Sequence, residues 1–238
     1  MTAPRQAEMA NKLLAMLPSD DYVAIASHAH HCGLPQGTVL AKVGQPIEYV
    51  HFLTKGVGSV VVVSRENNRA EAGLFGFEGY VPAHAAAGAQ ISPHEVVIQI
   101  AAEAYRINFD DFVRLIDSNK NFRVLVHRAV AAFGVQLSYT GASNSIHEVA
   151  ERLARWLLMC HDRVDGNEIN LTHDFMALML AVRRPSVTTA LHVLEGNRFI
   201  RAQRGLVTIR DRAGMEEFAY DAYGRPEEEY DRLMKDLF

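Results

Sequence analysis

The chain has 238 residues, 49% of them hydrophobic and 22% charged, with a formal net charge of -4. This is the composition of an ordinary soluble protein, long enough for two modest domains with a core each. No apolar run approaches the roughly 20 residues that span a bilayer. Met1–Gln6 lacks the pattern of a secretory signal, and two cysteines, Cys32 and Cys160, suggest no disulfide framework. A cytoplasmic chain without membrane contact is the simplest expectation.

In chain order, Glu8–Leu17 reads as a short helix ended by Pro18-Ser19-Asp20, and Asp21–Ala29 as a second. His28, His30, His31 and Cys32 follow. On a helix, His28 would share a face with His31 or Cys32, but donors adjacent in sequence do not make a tetrahedron, and no metal is assigned. From Gly33 to Ile107 the pattern turns to short β-type runs: Thr38–Ala41, Tyr49–Leu53, Val57–Val63, Val96–Ala101 and Ala104–Ile107. Gly37, Gly44, Gly56 and Gly58 stand at the breaks, which suggests a sandwich or roll. Ala83–Ala89 is expected to cross it as a short helix or loop.

A long helix is predicted from Phe109 to about Tyr139. Leu115, Phe122, Ala129 and Gln136 recur every seven residues, interleaved with Asn119, Val126, Phe133 and Thr140. Such a stripe is covered either by the chain's own roll or by a second copy of the helix. Gly141-Ala142-Ser143-Asn144-Ser145 reads as a hinge.

Beyond it, Val149–Leu158 is apolar and helical. Thr172 is a helix N-cap with Asp174 in the first turn, followed by Phe175, Met176, Leu178, Met179 and Leu180 on one apolar side. Ala181-Val182 makes a small turn. In Pro185–Gly196 the residues Val187, Ala190, Leu191 and Leu194 share a face, and Pro185 suits a first turn. The other face carries Thr189 and His192, flanked by Ser186 and Thr188. Phe199-Ile200 and Leu206–Ile209 read as a hairpin around Gln203-Arg204-Gly205. Arg183, Arg184, Arg198, Arg201, Arg204, Arg210 and Arg212 face only Glu195 and Asp211, a local positive excess suited to phosphates. The acidic run Glu227-Glu228-Glu229 and Asp231 reads as a solvated helix face.

The segments Arg183–Thr189, Leu191–Glu195 and Phe199-Ile200 resemble the winged helix–turn–helix of the cyclic-AMP receptor protein/FNR (Crp/Fnr) family of bacterial transcription regulators, and Val149–Leu158 is similar to the helix that opens that domain. The resemblance implies an α+β chain in three parts. These are a cyclic-nucleotide-binding-like jelly-roll sensor (1–110), a dimerisation helix and hinge (111–145), and a winged helix–turn–helix with a C-terminal tail (146–238). It implies a homodimer paired through Phe122, Val126, Ala129 and Phe133, placing two recognition helices about 34 Å apart on near-palindromic double-stranded DNA. Arg184 and Thr189 are expected at base edges, Arg183, Ser186, Arg201 and Arg204 at phosphates, with Thr188 and His192 on the same face. RNA polymerase is an implied partner. Pro185 departs from the family's base-reading Glu, so the family's usual operator is not expected.

The family's phosphate cassette has its nearest match in Gly76, Glu78 and Gly79. No Arg occurs between Arg69 and Arg106 to grip a cyclic phosphate, so the sensor is expected to be degenerate and cAMP is not expected as effector. An FNR-type cluster needs four thiolates and is not expected. No catalytic motif is present, and an enzyme is not expected. The alternative is a ligand-binding or protein-interaction module whose winged helix does not bind DNA.

Overall fold

The structure, a computed structural model, describes residues 4–238; Met1–Ala3, which open the first predicted domain, lie outside the described residues. Helix α1 (Lys12–Met16) starts at Asn11, whose side chain accepts from the Leu14 N–H, and α2 (Ser19–Ala26) follows Pro18. Strands β1 (His30–Leu34), β2 (Val39–Ala41), β3 (Tyr49–Val63), β4 (Arg69–Phe75) and β5 (Glu95–Asn108) form one antiparallel sheet in the order β1-β5-β3-β4, with β2 also on β5. Four of the predicted short strands are two long ones. Gly56, at φ +85°, sits where β3 changes register with β5, and a Cβ there would lie 2.5 Å from the Ala101 carbonyl. The glycine marks a bulge within a strand, not a break between strands.

Strands β1 and β4 were not predicted. Both are poor in β-formers, and pairing with β5 and β3 holds them extended. This corrects the helical premise for the histidine cluster, since His31 and Cys32 are neighbours on a strand and point to opposite faces. His28 and His31 lie instead near Asp111 and Glu103, at 3.7 and 3.5 Å. Among the described residues, no three His, Cys, Asp or Glu side chains are grouped to hold a metal ion.

The predicted long helix is two, α3 (Phe109–Ser118) and α4 (Lys120–Ile146). Asn119 breaks from helical geometry and caps α4 by accepting from the Phe122 N–H at 2.8 Å. The proposed dimer seam is corrected here. Phe122 and Val126 are fully buried and Ala129 nearly so, all in the chain's own core with Leu13, Phe52 and Phe112. Phe133 packs on the roll. Rings of Phe52, Tyr80, Phe112 and Phe122 meet at centroid distances of 5.5 to 6.2 Å. At Gly73 of β4 a Cβ would come within 2.8 Å of Gln136 Oε1, so α4 lies directly on the sheet. A heptad reports that a stripe is covered, not what covers it. The predicted hinge at Gly141–Ser145 is also helical, and α4 ends at His147.

The C-terminal part contains α5 (Val149–His161), β6 (Glu168–Ile169), α6 (His173–Leu180), α7 (Arg184–Gly196), β7 (Ile200–Gln203), β8 (Leu206–Ile209), α8 (Arg212–Ala219) and α9 (Arg225–Met234), with sheet order β6-β8-β7. Its core gathers Leu153, Trp156, Leu157, Met179, Leu191 and Leu194, and extends to Val57 and Leu74 of the roll. A buried polar contact crosses the same junction. The indole of Trp156 donates to Glu71 Oε1 at 2.8 Å, while Ser59 and Gln99 donate to Oε2.

The acidic tail is not only a solvated face. Glu228 is exposed, but Met234 joins the roll's core, and Arg128 of α4 donates to the Leu233 carbonyl at 2.7 Å. Among the described residues no helix is long and apolar enough to cross a membrane.

Candidate nucleic-acid interface

Helix α6 begins at Thr172, whose hydroxyl accepts from the Phe175 N–H at 3.2 Å, and ends at Ala181 in the left-handed region, φ 51°. That residue turns the chain so that α7 starts three residues later, with Pro185 in its first turn. Val187, Ala190, Leu191 and Leu194 are buried, as the spacing predicts. Arg183, Arg184, Pro185, Thr189 and His192 are exposed, whereas Ser186 and Thr188 are half-buried. Thr188 and Thr189 donate their hydroxyl hydrogens back to the carbonyls of Arg184 and Pro185, at 3.3 and 3.1 Å. Their lone pairs therefore remain as acceptors, and Thr188 also touches the His173 ring at 3.4 Å.

Arg184 lies 3.4 Å from Asp174, with both side chains mostly exposed at 63% and 73%. A pair so open to water contributes under about 1 kcal/mol, so the guanidinium can leave it for a better acceptor.

The hairpin β7–β8 turns at Gly205, φ +77°, and holds Arg201 and Arg204 exposed beside α7. At its root Arg198, Arg201 and Arg210 line a cleft with Glu195, whose Oε1 accepts from the Ala202 N–H at 2.7 Å. Arg212 does not belong to this basic face. It turns inward to Asp162 and Glu216, each at 2.7 Å. Small side chains, free guanidiniums and a projecting hairpin on one side are what a duplex groove and its phosphates require.

The family model of Crp-like helix–turn–helix domains matches residues 151–218. Solved structures share the fold of most of the chain. A putative transcriptional regulator of the Crp/Fnr family from Eubacterium rectale is 15% identical, with a TM-score of 0.67, covering 87% of this chain and 97% of its own. The c-di-GMP-responsive regulator CLP of Xanthomonas campestris is 14% identical, with a TM-score of 0.64 and coverage of 81% and 99%. FixK2 of Bradyrhizobium japonicum is 13% identical, with a TM-score of 0.66 and coverage of 81% and 98%. No curated protein sequence matches the chain.

Residues 151–218 form a Crp-like helix–turn–helix domain, in a chain whose fold is that of solved Crp/Fnr regulators. The surroundings of Gly76, Glu78 and Gly79 differ from what local sequence suggested. Glu78 and Gly79 line a cavity of about 350 Å³ between the roll, α4 and the C-terminal part, and Gly76 forms the turn beside it. Glu78 is paired with an arginine after all. Arg163, 85 residues further on, donates Nε and Nη2 to Glu78 Oε1 at 2.9 and 2.8 Å, and Nη1 to the Met159 carbonyl at 2.6 Å. A Cβ on Gly76 would meet the Arg163 stem at 2.9 Å. Burial opposes charge on Arg163, but Glu78 and Asp162 more than offset it and hold the guanidinium protonated. No search confined to the neighbours of Glu78 could find this partner. The only early hint is that Arg163 follows an apolar helix whose surroundings are buried.

Proposed function

We propose that the chain is a sequence-specific DNA-binding transcription regulator that acts as a homodimer and whose sensor does not take cAMP. The observation that carries the reading is α7. Its apolar side is sealed into a Crp-like domain, while Arg183, Arg184, Thr189 and His192 stand in solvent beside the arginines of the hairpin. Arg184 and Thr189 read base edges, and Arg183, Ser186, Arg201 and Arg204 hold phosphates, with Thr188 in a supporting place. Against cAMP, the guanidinium at the sensor wall is already committed to Glu78 and is not a free phosphate donor. No resident cofactor belongs to this reading.

Pairing is placed on the outer face of α4. Ala131, Gly134, Ser138, Gly141 and Ser145 are all exposed and alternate at spacings of three and four, a seam of small side chains that lets two helices approach closely, with His127 in line at its start. A Cβ at Gly134 would meet nothing within 4 Å in the protomer. Gly134→Arg should therefore leave the fold intact and weaken self-association by about a hundredfold in sedimentation equilibrium. An unchanged dimer mass would move the seam elsewhere.

The reading at α7 is tested by selecting sites from genomic fragments and titrating Arg184→Ala on the preferred one. A loss of about 1–3 kcal/mol there, with little loss on random DNA, marks a base contact. Equal losses on both make Arg184 a phosphate contact.

A further inference from the structure

We propose that the cavity between the roll, α4 and α9 binds a small amine with a flat apolar body, its ammonium group held by Glu227. This rests on the sensor reading above and names the ligand class of that pocket. At about 350 Å³ the cavity falls in the size range of small-molecule sites, and such sites favour domain junctions. Phe75, Phe77, Tyr80 and Phe133 give it aromatic walls that suit a flat ring and attract a cation.

The charges decide the ligand's sign. Four carboxylates line the cavity, Glu78, Asp162, Glu227 and Asp231, against two cations, Lys12 and Arg163. Lys12 is exposed, 5.1 Å from the Phe77 ring centroid, and Arg163 is bound to Glu78. The phenols are engaged as well. Tyr223 donates to Asp162 Oδ2 at 2.7 Å, and Tyr230 to the Glu78 carbonyl at 2.8 Å. Gln136 uses its oxygen to accept from the Leu74 N–H, which leaves its amide nitrogen as a single neutral donor. The wall therefore has few donors left, while acceptors remain.

Glu78 Oε2 is buried with no hydrogen-bond partner among the described residues, and Glu227 is the half-buried acceptor not already tied to an arginine in an ion pair. One oxygen accepts from the Gly224 N–H at 3.2 Å, and the other has no hydrogen-bond partner among the described residues. Burial pushes this carboxyl above its ordinary value, and the charges of Arg163 and Arg155 only partly offset that. An anionic ligand would meet uncompensated carboxylates in a half-dry site, whereas an ammonium group would neutralise one.

The test is calorimetry on the full chain with three probes of one ring system: tryptamine, tryptophol and indole-3-acetate. Tryptamine should bind about tenfold more tightly than indole-3-acetate, with tryptophol between them. Glu227→Gln keeps an oxygen for the Gly224 N–H, so α9 retains its start, and it should shrink that preference to about threefold or less. Ala132→Phe, folded by its cooperative melt, should abolish binding by filling the cavity. Indole-3-acetate binding as well as tryptamine, a preference unchanged in Glu227→Gln, or no heat from any probe at millimolar concentration would overturn the inference. DNA binding by the same sample without probes is read separately, so failure here and failure of the regulator reading are distinguishable.

Discussion

Arg163→Met is expected to lower the stability of the chain by about 3–5 kcal/mol in urea denaturation followed by tryptophan fluorescence. The side chain is 7% exposed and its partner Glu78 17%, so removing the guanidinium leaves a carboxylate in a largely dry site without its countercharge. The larger part of the cost comes from that stranded charge, not from the lost attraction itself. Removing both charges should therefore recover most of the loss, and the double variant Arg163→Met, Glu78→Gln is expected within about 1–2 kcal/mol of the wild type. A single-variant cost below about 1 kcal/mol would reduce the pair to the value of a surface ion pair. Because Arg163 follows α5 and Glu78 follows β4, the same double-mutant cycle measures how tightly the C-terminal part is tied to the roll.

The second large effect is set by pH. Burial raises the Glu71 carboxyl from its ordinary 4.5 to about 7, against the hydrogen bonds from Ser59, Trp156 and Gln99 that favour its charged form. The folded pKa lies above the unfolded one, so the folded state prefers the proton. The stabilisation is complete below about pH 4.5 and is lost as pH rises through about 7, a change of about 3 kcal/mol. His51 runs the opposite way, since burial lowers it to about 4 and stability from that source rises with pH. The informative quantity is therefore the difference between Glu71→Gln and the wild type. It should grow in favour of the glutamine variant by about 3 kcal/mol between pH 4.5 and pH 8. Trp156 is the chain's one tryptophan and hydrogen-bonds Glu71, so its emission reports the junction directly. A difference that stays flat with pH would remove Glu71 from the junction's energetics.

The C-terminal part was legible because its signals are local. Thr172, Ala181-Val182, Pro185 and Gly205 act through a cap, a turn, a first helical turn and a hairpin, and each needs only its neighbours in sequence. The apolar face of α7 followed from helical period alone. What stayed hidden depends on distant partners. Strand β4, with Ala, Glu and Gly at its centre, is a strand because β3 lies beside it. The stripe containing Phe122 and Val126 is real, but periodicity carries no information on whether the chain's own roll or a second copy covers it. The pairing of Glu78 with Arg163 and the return of α9 to the roll span 85 and 152 residues, so no local pattern announces them. The acidic tail shows the same limit, because composition described its solvated side and not the side facing the cavity.

Two copies of α7 are expected to enter one duplex together. Mass determination of the complex on a selected site, repeated over a range of salt, tests this most directly. The expected result is two chains per duplex on a near-palindrome with half-sites about 34 Å apart, and affinity falling steeply as salt rises. One chain per duplex, or weak binding indifferent to both sequence and salt, would contradict it.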